Sequence, residues 1–233
     1  MPINVTKNWL LGENANAGIS GVGSGTPSLG SGSTFSGTAT LSSSSTVPAS
    51  VGGSVVYLES TSGTAVSEIK FENKFTDTSY YHYILELQLK PTTDDRHIVG
   101  QLGYGGASTT WITSSYRTTI NETYYGSSGG EHFRNEGGYT FYTTGVGADA
   151  DEPGVDGTFY LIQPYVTGRY KLHRYNAQKW EQNDHISNQS AGTIWYGGTN
   201  AITAIKFFAY DYTGGGNHGN ITGEIRMYAL KGS

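Results

Sequence analysis

The chain has 233 residues, a net charge of −5 and no cysteine, and charged side chains make up only 14% of it. That length suits one large domain, or one domain with an extension. The composition excludes disulfides, thiolate metal sites and thiol catalysis, and the negative charge argues against binding a nucleic-acid phosphate backbone.

Residues 1–12 carry a small apolar knot, Ile3, Val5, Trp9, Leu10 and Leu11. Two readings stay open for it: a terminal strand tucked onto the body, or a docking peptide for a partner. Residues 12–54 are low in complexity, mostly Gly, Ser, Thr and Ala, with Glu13 the only charge. Glycine is costly in a helix, and Ser and Thr compete for its backbone bonds, so a linker or an arm held by a neighbouring subunit is expected. The division is therefore an N-terminal arm, 1–54, and a β domain, 55–233. No apolar run approaches the ~20 residues of a membrane span. The N-terminus has neither the basic nor the apolar region of a signal peptide, so neither membrane insertion nor export is expected.

From residue 55 apolar side chains recur at every second position, the mark of half-buried strands. Val55 to Leu58 opens the pattern. Ile69 and Phe71 follow, then the run Tyr81, Tyr83, Leu85, Leu87 and Leu89, closed by Pro91 and a Thr92–Asp95 turn. Ile98, Gly100, Leu102 and Tyr104 continue it. Residues 105–136 read as a long polar, Gly-rich stretch. Further strands are expected at 139–142, 158–162, 170–173, 179–180 and 193–196. Residues 201–210 and 221–230 read as an antiparallel hairpin closing the domain, with Ile205, Phe207 and Ala209, then Ile221, Ile225, Met227 and Ala229, facing inward. About ten strands and no helix predict an all-β, antiparallel two-sheet sandwich of jelly-roll type.

Few motifs carry chemistry. Ser67-Glu68-Ile69-Lys70 has the S-x-x-K spelling, but the alternation puts it in a strand, where Ser and Lys are not one helical turn apart. The acidic turn Asp149–Asp156 offers clustered oxygens for calcium, or is simply a solvated turn. Six histidines lack zinc-site spacing. Gly21-Val22-Gly23-Ser24-Gly25 lacks the strand and helix of a nucleotide fingerprint. N-x-S/T sequons at Asn4, Asn121, Asn188 and Asn220 read as coincidental. No cofactor, metal or catalytic residue is expected. Tyr124, Tyr125, Tyr175, Trp195 and Tyr196 sit in or near polar, Gly-rich sequence. They are read either as exposed ligand-contact aromatics, suited to a sugar or a protein, or as the core and rim of a tyrosine-rich β protein.

One resemblance follows from these pieces. Phe75 to Tyr83, then Leu85 to Leu89 and Lys90-Pro91-Thr92-Thr93-Asp94, resembles the first strands of bacteriophage virion-surface β-sandwich domains. Ala201–Phe208 with Gly219–Lys231 is similar to the terminal hairpin of that group, which occurs in tail fibres and head-decorating proteins. Members often show Tyr-Gly where this chain has Tyr228-Ala229, a departure that touches packing only. The resemblance spans about residues 65–231 and carries no catalytic set. It implies a non-enzymatic virion protein assembled in a host cytoplasm. A homotrimer that binds the major capsid protein or another virion protein through residues 1–54 is the first form. The second is a tail fibre whose loops at 105–136 and 211–220 touch a host-surface glycan. A carbohydrate-active enzyme or lectin is the rival of a different class; the enzyme would need two carboxylates facing one cleft.

Overall fold

A computed structural model describes residues 55–124, 130–143, 145–181, 185–211 and 218–231. The chain divides into units Met1–Val47 and Pro48–Ser233, and all that follows concerns the second. The apolar knot at Ile3, Val5, Trp9, Leu10 and Leu11 lies outside the described residues.

The described residues form strands and no helix: β1 (Val55–Val66), β2 (Ile69–Phe71), β3 (Tyr80–Pro91), β4 (His97–Tyr104), β5 (Thr110–Trp111), β6 (Tyr116–Tyr124), β7 (Gly130–Gly137), β8 (Phe141–Tyr142), β9 (Val155–Ile162), β10 (Lys171–Glu181), β11 (His185–Trp195), β12 (Ala204–Tyr210), β13 (His218–Gly219) and β14 (Ile221–Lys231). An eight-stranded sheet runs β1-β14-β3-β9-β10-β11-β6-β7. A six-stranded sheet runs β13-β12-β4-β5, with β2 on β12 and β8 on β4. Every pairing is antiparallel. The chain changes sheet at each step from β1 to β4, and again on entering β6, β8, β9, β12 and β14. The order β1-β14-β3-β9 over β2-β12-β4-β8 is that of two interleaved Greek keys, which is jelly-roll winding. The hairpin β10–β11 and the pair β6–β7 widen one sheet beyond it.

The core lies between the sheets. Tyr83, Leu85, Leu87 and Leu89 of β3, Ile225, Met227 and Ala229 of β14, and Phe159 and Leu161 of β9 are buried against Ile98, Leu102, Ile205, Phe207 and Phe141 from the other sheet. Phe207 meets Phe141 and Phe159 edge-on, at ring separations of 5.6 and 6.2 Å. Each large side chain so buried contributes about 1.5–3 kcal/mol. Where β9 begins, Gly154 has φ +79, and a Cβ there would lie 2.5 Å from the Leu89 carbonyl oxygen, so only glycine lets β9 close onto β3.

Four expectations are corrected. β12 and β14 are not a hairpin: β12 lies in the six-stranded sheet and β14 lies between β1 and β3 in the other. Alternation reports which face is buried and does not name the pairing partner, and the link 211–220 is long enough to cross the ~10 Å between sheets. Tyr81 is not part of the inward run. It is 47% exposed, because the β14–β3 register slips between Leu230 and Lys231 at that end. Residues 116–124 and 130–137 are strands, where a long loop was expected. The pieces at 170–173, 179–180 and 193–196 belong to one hairpin, in continuous register from Lys171–Trp195 to Glu181–His185.

Candidate functional site

Among the described residues, the outer face of the eight-stranded sheet is a broad exposed surface, and register assembles it in rows. The first row is Val55, Leu230, His82 and Ile162, continued by Leu172, Ile194 and Arg117. The second is Tyr57, Tyr228, Ile84, Tyr160, Arg174, Gly192 and Thr119. The third is Ser60, Arg226, Glu86, Thr158, Asn176, Ser190 and Asn121. The fourth is Ser62, Glu224, Gln88, Asp156, Gln178, Asn188 and Thr123. Eight strands about 4.8 Å apart make this face roughly 35 Å wide.

Its two halves differ in chemistry. The first two rows are apolar and aromatic. Val55, Tyr57 and Leu172 are each more than half exposed, at 54, 55 and 55%, and Tyr57 packs edge-on against Tyr228 at 5.6 Å. The guanidinium of Arg174 lies 4.6 Å from the centre of the Tyr160 ring, and that of Arg117 lies 4.5 Å from Tyr196. The other two rows are polar. Towards β14 they carry charge: Arg226 donates to both carboxylate oxygens of Glu224 at 3.2 and 3.0 Å, and the Tyr228 hydroxyl donates to Glu86 at 3.0 Å. The hydrogen bond from Arg226 holds the Glu224 carboxyl below its usual range. Towards β6 charge disappears. Asn176, Ser190, Asn121, Gln178, Asn188 and Thr123 line a shallow depression of about 420 Å³.

Beneath this face the inner side of β6, β10 and β11 mixes core hydrophobics with buried polar groups. Lys179 Nζ lies 2.9 Å from Glu122 Oε1 and 2.9 Å from Glu181 Oε1, with Lys179 and Glu122 each 1% exposed. Ser187 donates to Glu122 at 2.8 Å. Burial pushes the Glu122 carboxyl up, but Lys179 and Ser187 outweigh it and hold it below its ordinary value. His173, on the same face, has no hydrogen-bond partner at either ring nitrogen. It stacks on Phe159 at 5.6 Å, and desolvation alone pushes its pKa down to about 3.

Of the five aromatics read either as ligand contacts or as core and rim, two are buried. Tyr175 is buried on β10: its hydroxyl donates to the Tyr142 carbonyl at 2.9 Å and its ring lies 4.5 Å from Phe141. Trp195 ends β11 buried and stacked on Tyr104 at 6.0 Å. Both alternate inward because the polar residues around them belong to strands, not loops. Tyr124 is half-buried at the end of β6, and Tyr125 lies outside the described residues. Tyr196 is exposed as expected. Tyr57, Tyr170 and Leu172 are exposed as well; Leu172 stands between Lys171 and His173, whose burial reverses the usual polarity.

The Ser67–Lys70 pair falls on a bend and β2, and Lys70 Nζ sits 3.1 Å from both Glu68 and Glu72. In the acidic turn, Asp149 and Glu152 meet Asp94, with carboxylate oxygens within 4.8 Å of one another. These groups also fasten the turn: Asp94 accepts from the Ala148 N–H at 2.5 Å, Glu152 accepts from the Asp149 N–H at 2.6 Å, and Lys90 donates to the Asp149 carbonyl. Comparison with known proteins finds no matching family model, curated protein or solved structure.

Proposed function

We propose that this is a non-enzymatic structural protein of a bacteriophage particle that works by surface complementarity: a shell-decorating protein, assembled as a homotrimer, with residues 1–54 as the attachment arm. The observation that carries this reading is the open eight-stranded face, with Val55, Tyr57 and Leu172 exposed along its apolar half. Exposed apolar rows rimmed by polar residues mark association surfaces, and closed cyclic symmetry suits a shell's local three-fold positions. Of the three carboxylates that stand together on the same face, Glu86, Asp156 and Glu224, Glu224 pairs with Arg226 and Glu86 accepts from Tyr228.

The test compares the full chain with one lacking residues 2–50 for co-sedimentation with empty shells. Loss of shell binding on deletion supports decoration. Unaltered particle attachment with lost adsorption to cells contradicts it and supports the second reading, a tail fibre or receptor-binding protein, which the uncharged depression at Asn176, Asn188 and Asn121 favours.

A further inference from the structure

From the face itself, whatever particle the protein serves, we infer a binding site for a neutral oligosaccharide lying across β10, β11 and β6. The rows Asn176–Ser190–Asn121 and Gln178–Asn188–Thr123 bring four carboxamides and two hydroxyls together, all exposed and none charged. Asparagine is depleted in strands, yet three stand mid-strand on one face in neighbouring registers. Sequences break a local rule of this kind at functional sites.

The chemistry of the patch selects the ligand. A carboxamide donates and accepts at once, as does a sugar hydroxyl, so each can complete both halves of the other's hydrogen bonding. Gln178 Nε2 already reaches Asn188 Oδ1 at 3.4 Å, which shows the two amides close enough to share one partner. Strands lie about 4.8 Å apart, close to the advance per sugar of an extended glycan, so a chain crossing the strands meets one polar side chain per row at each sugar. The rows are about 6.7 Å apart, the breadth of one pyranose ring.

Charge argues for a neutral sugar. Glu86, Asp156 and Glu224 flank the patch on β3, β9 and β14 against one cation there, Arg226, which is paired with Glu224, and Arg174 stands one row away; the flank stays net negative in a chain of net −5, which disfavours an anionic glycan. Gly192 keeps the upper margin open: a Cβ there would meet nothing within 4 Å. That also supplies a clean variant, because G192Y fills the approach without disturbing the core.

The test titrates the ¹⁵N-labelled full chain separately with cellohexaose, maltohexaose and mannohexaose, and with a galacturonic acid hexamer as the anionic control. At least one neutral sugar at millimolar concentration is expected to shift the side-chain amides of Asn121, Asn176, Gln178 and Asn188, and the control none. N176A/N188A and G192Y are expected to weaken that binding about tenfold or more, at unchanged melting temperature. The inference is overturned if no neutral hexasaccharide moves these four amides, if the galacturonate binds equally, or if G192Y binds like the parent. None of these outcomes depends on shell binding.

Discussion

His173 makes a quantitative prediction. Its ring is buried, stacked on Phe159 and edge-on to Tyr116 at 6.3 Å, with both nitrogens unpartnered. Burial lowers its pKa from 6.5 to about 3. Between these values the unfolded chain takes up a proton that the folded chain refuses. Folding stability therefore rises with pH across the window, is complete above 6.5, and is lost progressively as pH falls towards 3. At pH about 5 the cost is 1.36 kcal/mol for each of roughly 1.5 pH units, or about 2 kcal/mol. The assay is urea unfolding of the parent and H173F at pH about 7.5 and about 5. His97 and His82 are also lowered, chiefly by burial, and act in both proteins, so the difference between the two pH losses isolates His173. The parent should lose about 2 kcal/mol more than H173F. Equal losses in the two proteins would refute the burial of an unpartnered imidazole. Glu122 does not confuse the result, because its lowered pKa confines its contribution to more acid pH.

Three further outcomes follow from the same packing. K179M, which strands the Glu122 carboxylate in the interior, should cost about 3–5 kcal/mol, and adding E122Q should recover part of it in a double-mutant cycle by urea unfolding. G154A, forced to φ +79 against the Leu89 carbonyl, should lower the melting temperature by a shift equivalent to at least 1–3 kcal/mol, while G192A, with open space above it, should leave it within about 0.5 kcal/mol. Y175F, which loses one buried hydrogen bond to Tyr142, should cost about 1 kcal/mol by denaturant unfolding and leave the sugar titration unchanged, since this tyrosine does not face the outer surface.

The jelly-roll half of the molecule was legible wherever one face of a strand is apolar. Tyr83 to Leu89 and Ile221 to Ala229 alternate cleanly because one side packs on the opposite sheet and the other meets water. The second half was legible only in pieces, because β6, β10 and β11 mix polar and apolar residues on both faces. Thr118, Glu122, Lys179, His173 and Thr193 point inward and Asn121, Asn176 and Asn188 outward, so no unbroken hydrophobic period marks the strands. Charges such as Lys179 and Glu122 look like solvated surface until register places them side by side, 2.9 Å apart and buried. The amide patch was hidden for a related reason. Its members come from three strands separated by up to 69 positions in sequence, Asn121 to Ser190, and only the pairing of β11 with β6 makes them neighbours.

The most direct measurement is a peptide count by mass spectrometry on density-banded particles from the culture that produces this chain. The proposed role predicts the chain in the banded particles at a fixed ratio to the major shell protein, in a multiple of three at each local three-fold position. Its absence from particles, with the purified chain monomeric in solution, would contradict that role.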